Sequence, residues 1–209
     1  MKIVSLSPSL TEILEAFKIS DTLVSLAPKA DFLREIETGA PEWVLVDTQE
    51  SRPEEIGLLR GRWKTKVFQV KSLEDVCDCV AELGRLVGKQ KESQELNETI
   101  QGEIHRNQEI FRGRERKRTV LLLWNQPYLT VNFDTYASRL LEASGGINVF
   151  REEPLREFPV EMEDMIEKNP ELLLLSSGPA PFQERHVIEF RRYRVFSRIQ
   201  IRLVSGKLL

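Results

Sequence analysis

The chain has 209 residues, of which 41% are hydrophobic and 30% are charged, and this suits a soluble globular protein with one or two domains. The composition excludes a disordered chain and a small disulfide scaffold, and the formal net charge of −3 argues against generic electrostatic binding to nucleic acid. No apolar run approaches the roughly 20 residues that a membrane-spanning helix needs.

The chain opens with MKIVSLSPS, which lacks the charged and apolar regions of an export signal. As given, the sequence therefore predicts a cytoplasmic protein with no membrane span. A periplasmic or cell-surface location is the alternative, if an export signal has been removed ahead of this start.

Strands and helices alternate along the first part of the chain. Short β-rich or continuous apolar runs predict strands at 2–6, 22–27, 43–46 and 66–70. Apolar residues at helical spacing, together with start signals, predict helices at 9–17, 31–36, 53–60 and 72–88. The first helix has two alternative starts: a capping box of Ser9 with Glu12, or Ser7 followed by Pro8 two residues earlier.

Residues 91–112 form a run without proline that predicts one long helix. Leu96, Ile100, Ile104 and Phe111 recur at three-to-four-residue multiples among polar residues, so only a narrow stripe of the helix can be buried. At 1.5 Å per residue the helix would be roughly 33 Å long, about the diameter of a small domain. Such a helix is long enough to lead from one lobe to another.

The same alternation resumes after the long helix. Strands are predicted at 118–124, 172–176 and 199–204, with a short extended piece at 128–131. Helices are predicted at 135–143, 160–168 and 181–190, and Asp134 is the predicted N-cap of the first of these. We therefore expect an N-terminal α/β lobe at 1–90, an interlobe helix at 91–112 and a C-terminal α/β lobe at 113–209.

Neither an enzyme nor a metal site is predicted from motifs. The sequence has no Gly-x-Ser-x-Gly elbow, no P-loop and no Gly-x-Gly-x-x-Gly after a strand. Its two histidines, His105 and His186, are far apart and match no metal-ligand spacing, so a metal would have to arrive inside its own chelate. Cys77 and Cys79 point roughly 200° apart on a helix, which favours reduced thiols.

Five stretches together carry a resemblance to a known family: KIVSLSPSLTEILEAF (2–17), WVLVD with Glu50-Ser51-Arg52 and PEEIGLL after it, and the segments 72–89, 134–150 and 160–182. In this order they resemble the class III, helical-backbone substrate-binding proteins of ABC importers, in particular the short cobalamin- and siderophore-binding-like branch. The chain differs from that branch in having Ser51 in place of Asn, a short connection at 27–31 and no closing helix after residue 204.

The resemblance implies a fold and a function. The implied fold class is α/β, with two lobes of central, mostly parallel sheets, joined by one long bridging helix, as in the helical backbone metal receptors. The implied function is to hold a cobalamin-like corrinoid or a ferric siderophore between the lobes and to deliver it to an ABC importer permease. No built-in cofactor and no enzymatic activity are expected, and a monomer is expected. The differences favour an alternative, a cytoplasmic interaction or regulatory module with a reduced pocket.

Candidate ligand-binding residues lie in loops that follow predicted strands, where open parallel sheets bind their ligands. They are Ser7, Pro8, Ser9, Asp47, Glu50, Arg52, Trp124, Gln126, Tyr128, Asp134, Tyr136, Pro179 and Phe182. The helix N-terminus after Ser7 could hold an anionic group, and the aromatic residues suit a planar ligand. The proline-rich loop is expected to hold Phe182 at the rim of the site.

Structural roles compete with binding at several of these positions. The serines could serve as caps of the first helix without contacting a ligand, and Trp124 could belong to the core. The basic run 112–118 lies at a helix C-terminus, where cations complement the helix dipole, whereas the purpose of the second basic cluster, 191–194, stays open.

Overall fold

The structure, a computed structural model, describes residues 1–19, 23–25, 32–178 and 182–206. The short connection predicted at 27–31 and the candidate residue Pro179 lie outside the described residues. The chain divides into two units, Met1–Gly102 (unit 1) and Glu103–Leu209 (unit 2).

Unit 1 contains a four-stranded parallel sheet. Its strands are β1 (Ile3–Ser5), β2 (Leu23–Ser25), β3 (Trp43–Asp47) and β4 (Thr65–Phe68), in the order β2-β1-β3-β4. The connecting helices are α1 (Pro8–Ala16), α2 (Phe32–Gly39), α3 (Pro53–Arg60) and α4 (Leu73–Val87). Parallel strands need such crossover connections, which is why the two element types alternate in sequence.

Both faces of this sheet are covered. Leu45 lies in a core cluster with Ile3, Leu14 and Leu83, whereas the adjacent Val44 lies in a second cluster on the other face. Successive side chains of a strand point to opposite faces, so the continuous apolar run of β3 fills both cores.

Helix starts in unit 1 follow local capping chemistry. The Ser7 hydroxyl accepts a hydrogen bond from the Leu10 amide at 3.2 Å, so α1 begins at Pro8 and the capping box starting at Ser9 is wrong. Helix α3 begins at Pro53 as predicted, and Ser72 caps α4 as predicted, with its hydroxyl accepting from the Asp75 amide.

Helix α5 (Gln90–Phe111) confirms the predicted long helix. Leu96 and Ile100 pack against the first core cluster of unit 1. Ser93 is buried against Gly84 of α4, where a Cβ atom would overlap with the serine side chain. The boundary between the units falls inside α5, after Gly102. The role of α5 as a rigid connection stays a prediction.

Unit 2 contains a parallel sheet and a smaller antiparallel sheet. Its strands are β5 (Lys117–Leu122), β6 (Trp124–Asn125), β7 (Tyr128–Val131), β8 (Gly146–Asn148), β9 (Glu157–Pro159), β10 (Leu172–Ser176) and β11 (Gln200–Val204). Its helices are α6 (Tyr136–Ala143), α7 (Met162–Glu167) and α8 (Glu184–Phe190). The parallel sheet has the order β11-β10-β5-β8, and the antiparallel sheet has the order β6-β7-β9.

The α/β prediction with mostly parallel sheets is confirmed, although the short strands β6, β8 and β9 were not predicted. As in unit 1, neighbouring residues of a central strand fill two cores: Val120 packs on one face of β5, and Leu121 packs on the other with Val131 and Leu141. Within the described part of the chain, no helix combines the length and the apolar character that crossing a bilayer requires.

Two glycine substitutions test the packing of α4 against α5. We expect Gly84→Ala to lower the free energy of unfolding by about 1–3 kcal/mol, because the added methyl group would collide with Ser93. Gly102→Ala adds the same group in open space on α5, so it should raise stability by up to about 1 kcal/mol through helix propensity. Urea denaturation of both variants measures the difference, and a stable Gly84→Ala variant would contradict this packing.

Candidate functional site

The loops after β1 and β3 meet at the carboxyl edge of the unit 1 sheet. The Ser9 hydroxyl donates a hydrogen bond to Glu50 Oε1 at 2.7 Å, and both residues are exposed. The structure therefore brings together two candidate residues that are 41 positions apart. Pairs of this kind could present polar atoms to a ligand at this edge.

Ser7 has a structural role that its neighbours lack. It is fully buried, its hydroxyl caps α1, and its carbonyl accepts a hydrogen bond from the Ser5 hydroxyl at 2.9 Å. Pro8 and Ser9 are exposed. Their contact with a ligand stays a prediction, and the exposed Ser9 is better placed for it than the buried Ser7.

Asp47 shapes the turn that follows β3. It is buried at 3% exposure, and its carboxylate accepts from the Gln49 amide at 2.7 Å, while its carbonyl accepts from the Glu50 amide at 3.1 Å. Arg52 is exposed and directly precedes α3, with its amide donating to the Glu55 carboxylate at 2.9 Å. Of these candidates, Glu50 and Arg52 present their side chains to solvent.

The two cysteines are free thiols on α4. Burial raises the pKa of Cys79 from an ordinary 9.0 to about 12, with a smaller contribution from the Asp47 carboxylate. Burial also raises the pKa of Cys77. Protonated thiols are poor nucleophiles and poor metal ligands.

A hairpin formed by β6 and β7 follows the carboxyl end of β5. Trp124 is 38% exposed, and its indole nitrogen donates to the Gln126 carbonyl at 3.2 Å. Gln126 is exposed as well, next to a cis peptide bond with Pro127. The alternative interpretation of Trp124 as a core residue is therefore wrong.

Tyr128, the first residue of β7, packs against Phe182 of the unit 2 core. Their rings are stacked with centroids 6.5 Å apart, and Tyr128 also contacts the Phe190 ring at 5.4 Å. Phe182 is only 2% exposed and belongs to the core of unit 2, so its prediction as an exposed rim residue is wrong. Tyr128 is half-buried, and burial, followed by the nearby Glu189 carboxylate, raises its pKa.

His186 connects the hairpin to α8. Its side chain is buried, and its Nδ1 accepts a hydrogen bond from the backbone amide of Gln183 at 2.8 Å. This bond caps the start of α8. Its Nε2 lies 3.1 Å from the Asn125 amide nitrogen. No sequence pattern points to Asn125, because its contact with His186 spans 61 positions.

Asp134 does not cap α6. The Thr135 hydroxyl accepts from the Ser138 amide at 3.3 Å, so Thr135 is the N-cap and the predicted position is one residue too early. The Asp134 carboxylate lies 3.6 Å from Arg156 Nε, a partner that sequence reasoning missed. Tyr136 is half-buried, and burial raises its pKa.

Residues 1–19, 32–178 and 182–206 bring together no cluster of three or more His, Cys, Asp or Glu residues that could hold a metal ion. The exposed candidate residues instead form two sets. One is polar, at the carboxyl edge of the unit 1 sheet, and the other is aromatic and amide-bearing, on the unit 2 hairpin. Such surfaces can bind a molecule through hydrogen bonds and ring contacts.

Comparison with known proteins shows which family the chain resembles. A model of the family described as "Periplasmic binding protein" matches residues 36–200. The vitamin B12-binding protein of Vibrio cholerae serotype O1 is 21% identical over 193 residues, which cover 84% of this chain and 70% of that protein.

Solved structures resemble the chain over almost its whole length. The periplasmic vitamin B12 binding protein BtuF of Vibrio cholerae has a TM-score of 0.80 at 18% identity, covering 96% of this chain and 86% of that chain. IsdE of S. aureus, in a structure complexed with heme, has a TM-score of 0.81 at 15% identity, covering 99% and 90%. At such identities the likeness shows the fold, which is that of the class III periplasmic binding proteins.

The different roles of Ser7 and Ser9 can be measured. We expect Ser7→Ala to lower the free energy of unfolding by about 1 kcal/mol, because it removes the buried cap of α1. Ser9→Ala removes only an exposed hydrogen bond and should change stability by less than about 0.5 kcal/mol. Denaturant titrations provide the measurement, and equal losses in the two variants would show that Ser7 is not the cap.

The raised pKa of Cys79 predicts a loss of stability in alkaline solution. The folded chain keeps a proton that the unfolded chain releases, so this contribution is complete below pH 9.0 and is lost as the pH rises toward about 12. Above pH 9.0 the free energy of unfolding should therefore fall by up to about 1.4 kcal/mol per pH unit.

Cys79→Ala should flatten this pH dependence in urea denaturation, whatever its effect at neutral pH. Cys77→Ala is the matched control, because Cys77 is only half-buried. The same slope in the wild type and in Cys79→Ala would refute the assignment to Cys79.

Proposed function

This chain belongs to the periplasmic binding protein family, of the class III type, and from this membership we propose that it is the substrate-binding component of an ABC importer. Its proposed ligand is a planar or bulky metal complex, either a corrinoid such as vitamin B12 or a chelate such as heme or a ferric siderophore. The similar proteins that support this ligand class are named for vitamin B12 or were solved with heme.

The observation that carries the proposal is the exposed hairpin at the carboxyl end of β5. An indole that is 38% exposed leaves apolar area in water, and a flat ligand would remove that area. The Gln126 side chain beside it is exposed and has both hydrogen-bond donors and an acceptor. The Tyr128 ring, at the start of β7, stacks on the buried Phe182 ring and so attaches the hairpin to the core of unit 2.

Unit 1 would supply polar contacts to the same class of ligand. Ser9, Glu50 and Arg52 are exposed at the carboxyl edge of its sheet, and they provide a hydroxyl, a carboxylate and a guanidinium. Corrinoids and siderophores carry amide, hydroxyl or carboxylate groups that such side chains bind. The Ser9–Glu50 hydrogen bond orients both side chains before a ligand arrives, which reduces the entropy lost on binding.

The proposed activity is binding and delivery without chemical change. Burial raises the pKa of both cysteine thiols, and the ring nitrogens of His186 face Gln183 and Asn125. A metal complex that brings its own donors needs only shape, ring contacts and hydrogen bonds from the protein. The partner would be an ABC permease at the membrane, and the location would be the periplasm or the cell surface.

Titration with cyanocobalamin, hemin and a ferric siderophore, followed by calorimetry, tests this proposal. We expect at least one of the three to bind with a Kd of about 1 μM or less. Trp124→Ala should weaken that binding about tenfold, because a central aromatic contact is lost.

Trp43→Ala is the matched control, since Trp43 begins β3 and therefore lies at the amino edge of its sheet. It should bind the ligand as the wild type does. Failure of all three ligands to bind would instead favour the interaction or regulatory module, and equal weakening by both tryptophan variants would refute the hairpin as the binding surface.

A further inference from the structure

The chain has two basic runs, and the structure gives them different roles. In the first, residues 112–118, the Arg116 guanidinium donates to the Glu142 and Gly146 carbonyls. Arg118 Nε donates to the Asn169 carbonyl at 2.9 Å. These cations are used inside unit 2, where they satisfy backbone carbonyls.

The second basic run follows α8, and its side chains are placed differently. Residues 191–194 are four consecutive exposed positions, three of them arginines, and Arg198 is exposed as well. Among the described residues, none of these four arginines forms an ion pair with a carboxylate. Their charges therefore point into solvent.

A buried anchor fixes this segment. Phe196 is fully buried and packs edge-on against Phe190, with ring centroids 5.4 Å apart, and against Tyr193 at 6.4 Å. The Ser197 amide donates to the Tyr193 carbonyl at 2.9 Å, and the Ser197 hydroxyl donates to the Arg194 carbonyl at 2.8 Å. The arginines thus project from an ordered turn rather than from a free tail.

Exposed apolar side chains accompany these charges. Ile188 on α8 is 61% exposed, and Tyr193, between the arginines, is 46% exposed. We call the resulting surface the arginine patch. It consists of Ile188, Arg191, Arg192, Tyr193, Arg194 and Arg198.

The charge of this surface is opposite to that of the rest of the chain. Residues 191–198 contain four arginines and no acidic residue, so they carry +4, and the remainder carries −7 to give the total of −3. The nearest acids in sequence are Glu184 and Glu189 on α8, and Glu189 lies near the Tyr128 phenol. A concentrated positive surface on an acidic protein points to a specific anionic partner.

We propose that the arginine patch binds the surface of an anionic phospholipid bilayer. Clustered arginines attract anionic headgroups, and an exposed Tyr and Ile can enter the headgroup region, where amphipathic and apolar side chains are stable. A bilayer surface suits side chains that project from a turn, whereas an acidic protein would bind through a complementary shape. Nothing in this proposal depends on the identity of the transported ligand.

Sedimentation with vesicles at low salt tests the proposal. We expect the full chain to bind vesicles of equal parts phosphatidylcholine and phosphatidylglycerol at least about tenfold more strongly than vesicles of phosphatidylcholine alone. Raising the salt concentration should weaken the binding, because the attraction is electrostatic.

The deciding variant carries Arg191→Gln, Arg192→Gln, Arg194→Gln and Arg198→Gln. It should lose the preference for anionic vesicles. The matched control changes four exposed arginines of unit 1 to Gln in the same way, at Arg34, Arg60, Arg62 and Arg85. It has the same net charge as the patch variant, and it should keep the preference.

The outcomes separate the possible partners. Equal binding to both kinds of vesicle, or equal loss in both variants, would overturn the proposal. Binding to soluble polyglutamate without binding to vesicles would also overturn it, and would assign the patch to an acidic protein. Circular dichroism and urea denaturation of both variants ensure that a loss of binding does not reflect unfolding.

Discussion

Parallel strands need long crossover connections, which are usually helices, and these helices cover both faces of the sheet. In this protein Val44 and Leu45 lie in separate cores, and so do Val120 and Leu121. The buried side chains of these two central strands, β3 and β5, are therefore committed to packing. The exposed candidate residues lie beyond the carboxyl ends of β1, β3 and β5, outside these cores.

The elements with a strong local cause could be predicted from the sequence. Helix α3 has Pro53 at its first position, α4 has Ser72 as its cap, and α5 has a proline-free polar run, so each starts within one residue of its predicted position. Strands β3 and β10 could also be predicted, because a strand that is buried on both faces is a continuous apolar run.

Features that depend on tertiary contacts could not be predicted in the same way. Phe182 follows a proline-rich loop, which suggested an exposed rim, but its ring packs against Tyr128, 54 positions earlier in the sequence. Asp134 and Thr135 are both good capping residues. The structure places the cap at Thr135, and the backbone amide of Asp134 instead donates to the side-chain oxygen of Asn132 at 2.9 Å. Strands β8 and β9 have three residues each and no continuous apolar run, because their sequences are GIN and EFP.

Helix α5 shows how one continuous element can belong to two units. Its first half is fixed to unit 1, because Ser93 fits against Gly84 and Ile100 reaches the core. Its last residue, Phe111, belongs to unit 2 and lies where a side chain on Gly145 would project; Gly145 has a φ of +84° that favours glycine in any case. Between these contacts the helix is almost entirely exposed and relies on its own backbone hydrogen bonds. The narrow apolar stripe thus reflects two short attachments to different units, separated by a solvated stretch, rather than one long buried face.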